Sequence, residues 1–140
     1  MTYFIPLLVW AVVHTYKYVT KSLERKSWAW SNFTESGGMP SSHSAVVASL
    51  CTILAVKEGW SSPVFAAAVI FSIIIIHDAL RLRSIVEVHS KILNKIRLGF
   101  PPADQKIYPE TIEHVGHQLP EVVVGVVFGI LGTLLLRKFL

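Results

Sequence analysis

Two stretches of this chain set a histidine beside groups that could work with it. In Gly37-Gly38-Met39-Pro40-Ser41-Ser42-His43-Ser44-Ala45, glycines, a proline and hydroxyls surround His43, and a hydrophobic run follows at once. The glycines permit a tight turn and Pro40 suits the first turn of a helix, so a helix beginning near Ser41 is the simplest expectation. A helix start offers N–H groups without intrahelical partners and the positive end of the helix dipole. With the hydroxyls of Ser41, Ser42 and Ser44 these would seat an anion within proton-transfer reach of His43. The plainer reading is a serine-capped helix entering a core. The second stretch is His117 with Glu121 four positions on, a carboxylate that can bond the second ring nitrogen and hold one tautomer.

Phosphoryl transfer needs cations and N–H donors around the phosphate oxygens, a nucleophile, and an acid for the leaving oxygen. Arg83 and Lys17 can supply charge, the turn at Ser42 the N–H donors, one histidine the nucleophile and the other the acid. Asp78 also has a structural reading, as a helix-end carboxylate paired with Arg81. A metal-dependent hydrolase built from His43, His117, Glu121 and Asp78 is an alternative, since these are acceptable ligand types, although no pair has a diagnostic ligand spacing. A non-catalytic membrane scaffold or transport subunit that keeps an anion site is another.

The elements that must position these residues are apolar. The 140 residues are 52% hydrophobic and 16% charged, with a mean hydropathy of +0.53. That is too apolar for an ordinary soluble domain and points to one all-α integral-membrane domain over residues 1–140. A polytopic bundle of about four transmembrane helices is expected, over residues 2–19, from the His43 stretch to Val56, over Val64–Ile76, and from Pro120 to Leu136. The third should end at His77-Asp78. Ser84 to Leu98 has the pattern of an amphipathic helix, with Ile85, Val88, Ile92 and Ile96 on one face, suited to lying in the membrane interface or packing over the site. Gly99 to Asp104 should break it. The N-terminal run lacks a basic region before it and a cleavage site after it, so it is expected to be retained. Cys51, the single cysteine, lies in an apolar run and reads as a small buried side chain. The net charge of +4 has no basic stripe interleaved with aromatics, so no nucleic-acid partner is expected.

Four crossings put the loops at 17–40 and 78–120 on one side, and both are rich in Lys and Arg, so that side should be cytoplasmic, at the cell (inner) membrane. The clusters Lys17 to His43, Asp78 to Arg83 and His117 to Glu121 then converge on one face. Gly125 and Gly129 permit close helix packing, within the monomer first and in a homodimer second.

The His43 stretch, Asp78-Ala79 with Arg83 five positions after Asp78, and Gly116-His117 with Glu121-Val122, Gly125 and Gly129 together resemble the divergent type-2 phosphatidic acid phosphatase family, related to acid phosphatases and vanadium-dependent haloperoxidases. Pro40-Ser41-Ser42-His43 is similar to the superfamily's Pro-Ser-Gly-His, with Ser42 for glycine. His117 with Glu121 matches the second half of its later motif with Glu for Asp, while Thr111 stands where that motif has arginine. The first superfamily motif is matched at Lys17 alone. The resemblance implies a lipid-phosphate monoester phosphatase in which His117 forms a phosphohistidine, His43 protonates the leaving alkoxide and Glu121 orients His117. Lys17, Ser41, Ser42, Asp78 and Arg83 would bind the phosphate, and no metal or other cofactor is needed. Phosphatidic acid, phosphatidylglycerol phosphate or an isoprenyl phosphate, reached from the membrane, would be the substrate.

Overall fold

Most of the helices begin where the sequence supplies a cap or a proline. The structure, a computed structural model, describes residues 2–30, 33, 38–113 and 118–140, and among these it is all-helical. Helix α1 (Ile5–Glu24) follows a single 3-10 turn over Thr2–Phe4 and carries Pro6 in its first turn, where a missing N–H leaves no bond unmade. Helix α2 (Ser42–Glu58) is capped by Ser41 in extended backbone and stops at Gly59, whose φ of +86° is open to glycine. Helix α3 (Pro63–Leu80) opens on Ser62, whose hydroxyl accepts from the Val64 N–H at 3.2 Å. Helix α4 (Leu82–Arg97) follows after Arg81 alone. The backbone bonding continues through that residue, with Arg81 N–H donating to His77 O at 2.9 Å and Ile85 N–H to Arg81 O at 3.1 Å. A short turn, α5 (Pro102–Gln105), precedes α6 (Leu119–Leu136).

Three boundaries differ from expectation. Helix α1 reaches Glu24 instead of ending near Val19, and α3 reaches Leu80, so His77 and Asp78 lie in its last turn and not beyond it. Polarity alone does not stop a helix; neither stretch contains the Gly or Pro that would. Pro40 sits just before the cap and not in the first turn, because the Ser41 hydroxyl takes the capping position. The amphipathic helix lies within two residues of its expected bounds at either end.

Helix α2 is the centre. It packs on α6, α3 and α1, while α1 also touches α6 and α4 packs against α3. Its small residues explain this: Ser42, Ser44, Ala45, Ala48, Ser49, Cys51, Thr52 and Ala55 leave room for neighbours on every side. The core is Ile5, Val9 and Val13 of α1, Ala45, Ile53 and Leu54 of α2 and Ala68 of α3. Buried hydroxyls tie the helices laterally. Thr133 donates to Gly129 O at 2.7 Å, so the 2.6 Å bond between the Ser49 and Thr133 hydroxyls has Ser49 as donor. Ser72 likewise donates to Ala68 O at 2.7 Å and accepts from the Cys51 thiol at 3.1 Å. At the far end the Tyr3 hydroxyl donates to the Glu58 carboxylate.

The outside of the bundle is apolar. Among the described residues two helical runs, Pro63–Arg97 (containing α3) and α6, are long and apolar enough to cross a membrane, with mean hydropathies of 2.1 and 2.2 over their best windows. Only 17% and 22% of those windows are buried, against what a core helix of a soluble protein would show. Their exposed Ile70, Phe71, Ile73, Ile74, Val127, Phe128 and Leu131 suit lipid, so the architecture is a helical membrane bundle. Helices α1 and α2 fall outside the same criterion. Helix α2, at 17 residues, is too short for it, and its central place among three neighbours calls for small and hydroxylated side chains.

Candidate functional site

The ends of α1 and α3 and the starts of α2, α4 and α6 meet at one end of the bundle. Lys17, on α1, is buried with only 6% of its surface exposed. A Cβ on Gly38 would lie 3.6 Å from Lys21 Cε and 4.0 Å from Lys17 Cε, so both stems run alongside the turn leading into α2. Gly38 has φ +83°, a conformation that favours glycine. Lys21, one helical turn from Lys17, was not among the expected site residues; the four-residue spacing on α1 is the signal that points to it.

The start of α2 is anchored by three contacts, two of them to α6. Ser41 N–H donates to the backbone carbonyl of Glu121 at 2.9 Å, joining α2 to the first turn of α6. The Ser41 hydroxyl accepts from Ser44 N–H at 3.4 Å and from the Ser44 hydroxyl at 3.1 Å. Both serines are fully buried, and these two hydroxyls serve the cap, the plainer of the two sequence readings for them. Ser42 is buried in the first turn. The third anchor is Gly125, where an added Cβ would sit 2.4 Å from Ser41 O. Gly125 and Gly129 are both engaged in packing α6 on α2 within the chain.

His43, half-buried in the same turn, is bonded across the site: its Nε2 lies 3.2 Å from Arg83 Nη2. Arginine has donors only, so Nε2 is the acceptor. The Arg83 Nε is 3.6 Å from Asp78 Oδ2, so one guanidinium fork joins the histidine of α2 to the carboxylate of α3. Asp78 therefore pairs with Arg83, the side chain that the continuous α3–α4 run carries to it. Glu121 sits in the first turn of α6, where its carboxylate accepts from Gln118 N–H at 3.3 Å. His117 lies outside the described residues, as do Gly37 and Gly116. Among the described residues no three His, Cys, Asp or Glu side chains gather as metal ligands do.

A second device holds the chain just ahead of His117. Asn94, on the polar face of α4 and only 8% exposed, accepts from Thr111 N–H and from the Thr111 hydroxyl, each at 2.9 Å. Its Nδ2 donates to Thr111 O at 2.8 Å and to the Glu113 carboxylate at 2.7 Å. Arg97 adds an ion pair with Glu110 at 3.8 Å. Thr111, at the position where the resemblance led us to compare an arginine, is thus a clamp point. Sequence reasoning missed Asn94, whose only signal was an amide on the polar side of an amphipathic helix. Asn94→Ala leaves half-buried backbone groups of Thr111 without their side-chain partner, worth about 1 kcal/mol or more locally. Amide exchange at residues 111–113 is expected to speed up by about tenfold or more, read by hydrogen–deuterium exchange, with the exchange of α2 unchanged.

The polar face of α4 therefore points at the site and at the strap formed by residues 110–113, while Ile85, Val88, Ile92 and Ile96 are exposed on the other side. This geometry brings Lys17, Ser41, Ser42, His43, Asp78, Arg83 and Glu121 to one end of the bundle. No solved structure matches the chain. It is 38% identical over 121 residues to the uncharacterized membrane protein YuiD of Bacillus subtilis (strain 168), covering 79% of this chain and 77% of that protein. The divergent PAP2 family matches residues 1–132. With nearly the whole chain matched, and with a membrane bundle whose polar residues meet at one end, the protein belongs to the divergent PAP2 family.

Proposed function

We propose that this protein is a membrane lipid-phosphate monoester phosphatase working through a phosphohistidine, with its site at the cytoplasmic face. The observation that carries the reading is the Arg83 fork, which holds His43 and Asp78 together beside the first turn of α2. A phosphate dianion entering there meets Arg83, the lysines of α1 and the N–H groups of a helix start. Once Arg83 turns to the phosphate, His43 Nε2 is released to carry a proton. In the proposed reaction His117 attacks phosphorus, forming the N–P bond as the P–O bond to the lipid breaks. The departing alkoxide takes its proton from His43. Water then attacks the phosphohistidine, gives a proton back to His43, and inorganic phosphate leaves with both histidines restored. Phosphatidic acid, phosphatidylglycerol phosphate and isoprenyl phosphates all present the required group.

The test is phosphate release from these lipids by the purified protein in detergent with EDTA present. Release that survives chelation supports the proposal. Release that depends on added metal would favour a metal-dependent hydrolase, for which Arg83 stands where a cation between His43 and Asp78 would bind. No release from a folded protein would favour a non-catalytic anion-binding role. Arg83→Lys keeps the charge but cannot reach both partners, and kcat/KM is expected to fall about 100-fold. An unchanged rate would show that the fork is only structural.

A further inference from the structure

Helices α3 and α6 both pack on α2 and barely on each other, leaving a wedge between them. This wedge is a cavity of about 440 Å³, with Val47, Ile76 and Val126 at its upper end and Trp60, Phe65 and Leu134 further down. From Val47 to Val56, both in its wall, α2 rises about 14 Å. Its upper end leads toward the site along α2, where Val47 is one helical turn below His43 on the same face. His43 is the histidine that Arg83 bonds.

The lining offers a ligand nothing polar. The Thr52 hydroxyl donates to Ala48 O at 2.7 Å, Ser72 to Ala68 O at 2.7 Å, and the Cys51 thiol is engaged with Ser72 at 3.1 Å. Burying an unpaired polar group there would be costly, whereas a hydrocarbon chain loses nothing.

We infer that this groove holds one hydrocarbon chain of the lipid whose phosphate lies at His43 and Arg83. The inference rests on the proposed phosphatase reading and narrows it: the substrate is a lipid recognised by its chain as well as its phosphate, and the groove floor sets the chain length that fits. Continuity with the cationic site is what distinguishes this occupant from a bilayer lipid or the helix of a second copy.

Val56 lines the lower groove with an exposed side chain, so Val56→Trp fills it without overpacking the core. On dipalmitoyl phosphatidic acid its kcat/KM is expected to fall by at least about tenfold, with dibutyryl phosphatidic acid hydrolysed at the wild-type rate. Equal losses on both, or none on either, would overturn the inference. A second readout needs no turnover. Cys51, the only cysteine, lines the groove, so its alkylation by N-ethylmaleimide reports occupancy. Dipalmitoyl phosphatidic acid should slow alkylation severalfold more than dipalmitoylglycerol does, and more weakly in Arg83→Lys. Equal protection by the two lipids would assign the groove to bilayer lipid. Protection that rises with protein concentration alone would assign it to a second copy. If the protein releases no phosphate from any lipid, the phosphatase reading fails, and the alkylation result still decides the groove.

Discussion

Under the proposed mechanism, His117→Ala is expected to abolish phosphate release from every substrate, and His43→Ala to lower it by about 10²–10⁴-fold only where the leaving group is a poor one. The difference follows from the two roles. A nucleophile is needed whatever leaves, because no N–P bond forms without it. An acid is needed in proportion to the basicity of the leaving oxygen: a lipid alkoxide cannot depart unprotonated, whereas an aryl oxide can. On an aryl phosphate His43→Ala should therefore retain most of its activity while His117→Ala retains none. Rapid acid quenching should trap radiolabelled phosphate on the wild-type protein and, with the aryl substrate, on His43→Ala, but never on His117→Ala. The bond from Arg83 to His43 Nε2 at 3.2 Å adds a condition: Arg83 must turn to the phosphate before Nε2 can hold the proton that an acid donates. Rescue of His117→Ala by the aryl substrate, with none for His43→Ala, would exchange the roles.

The second large effect is on the bundle itself. Gly129→Ala is expected to destabilise the protein by about 3 kcal/mol, read as a lowered unfolding midpoint in detergent. An added Cβ would lie 2.3 Å from the backbone carbonyl oxygen of Ala45 and 2.9 Å from Ala48 Cβ, and neither belongs to a flexible side chain that could move aside. Helix α6 would have to retreat from α2. That strains the buried Ser49–Thr133 bond and the Ser41–Glu121 bond, which hold the two helices in register. Gly132→Ala is the internal control. Its Cβ would meet only Val9 Cγ2 at 3.4 Å, an ordinary contact, and its stability should stay within about 0.5 kcal/mol of wild type. Similar midpoints for the two variants would mean that α2 and α6 are not in close contact.

Legible in the residues is what is written within a turn or two of chain: the capped start of α2 at Ser41, the amphipathic α4, the apolar α3 and α6, the membrane class and the family motifs. Caps, breakers and hydrophobic period act locally, so each can be read without knowing its neighbours. Topology alone also brought the ends of α1 and α3 to the starts of α2 and α6. The rest came from helix packing, because it depends on which faces of distant helices meet. It put α2 in the middle, where its serines and alanines allow three helices to approach. It buried the capping hydroxyls of Ser41 and Ser44, since Gly125 brings α6 against their turn. It gave Asp78 to Arg83 because α3 runs on into α4, and it set Arg83 against His43, forty positions away in sequence. Asn94 and Thr111 are seventeen positions apart, and only the fold of the strap back onto α4 makes them partners. No local pattern encodes a bond between two residues whose helices must first pack.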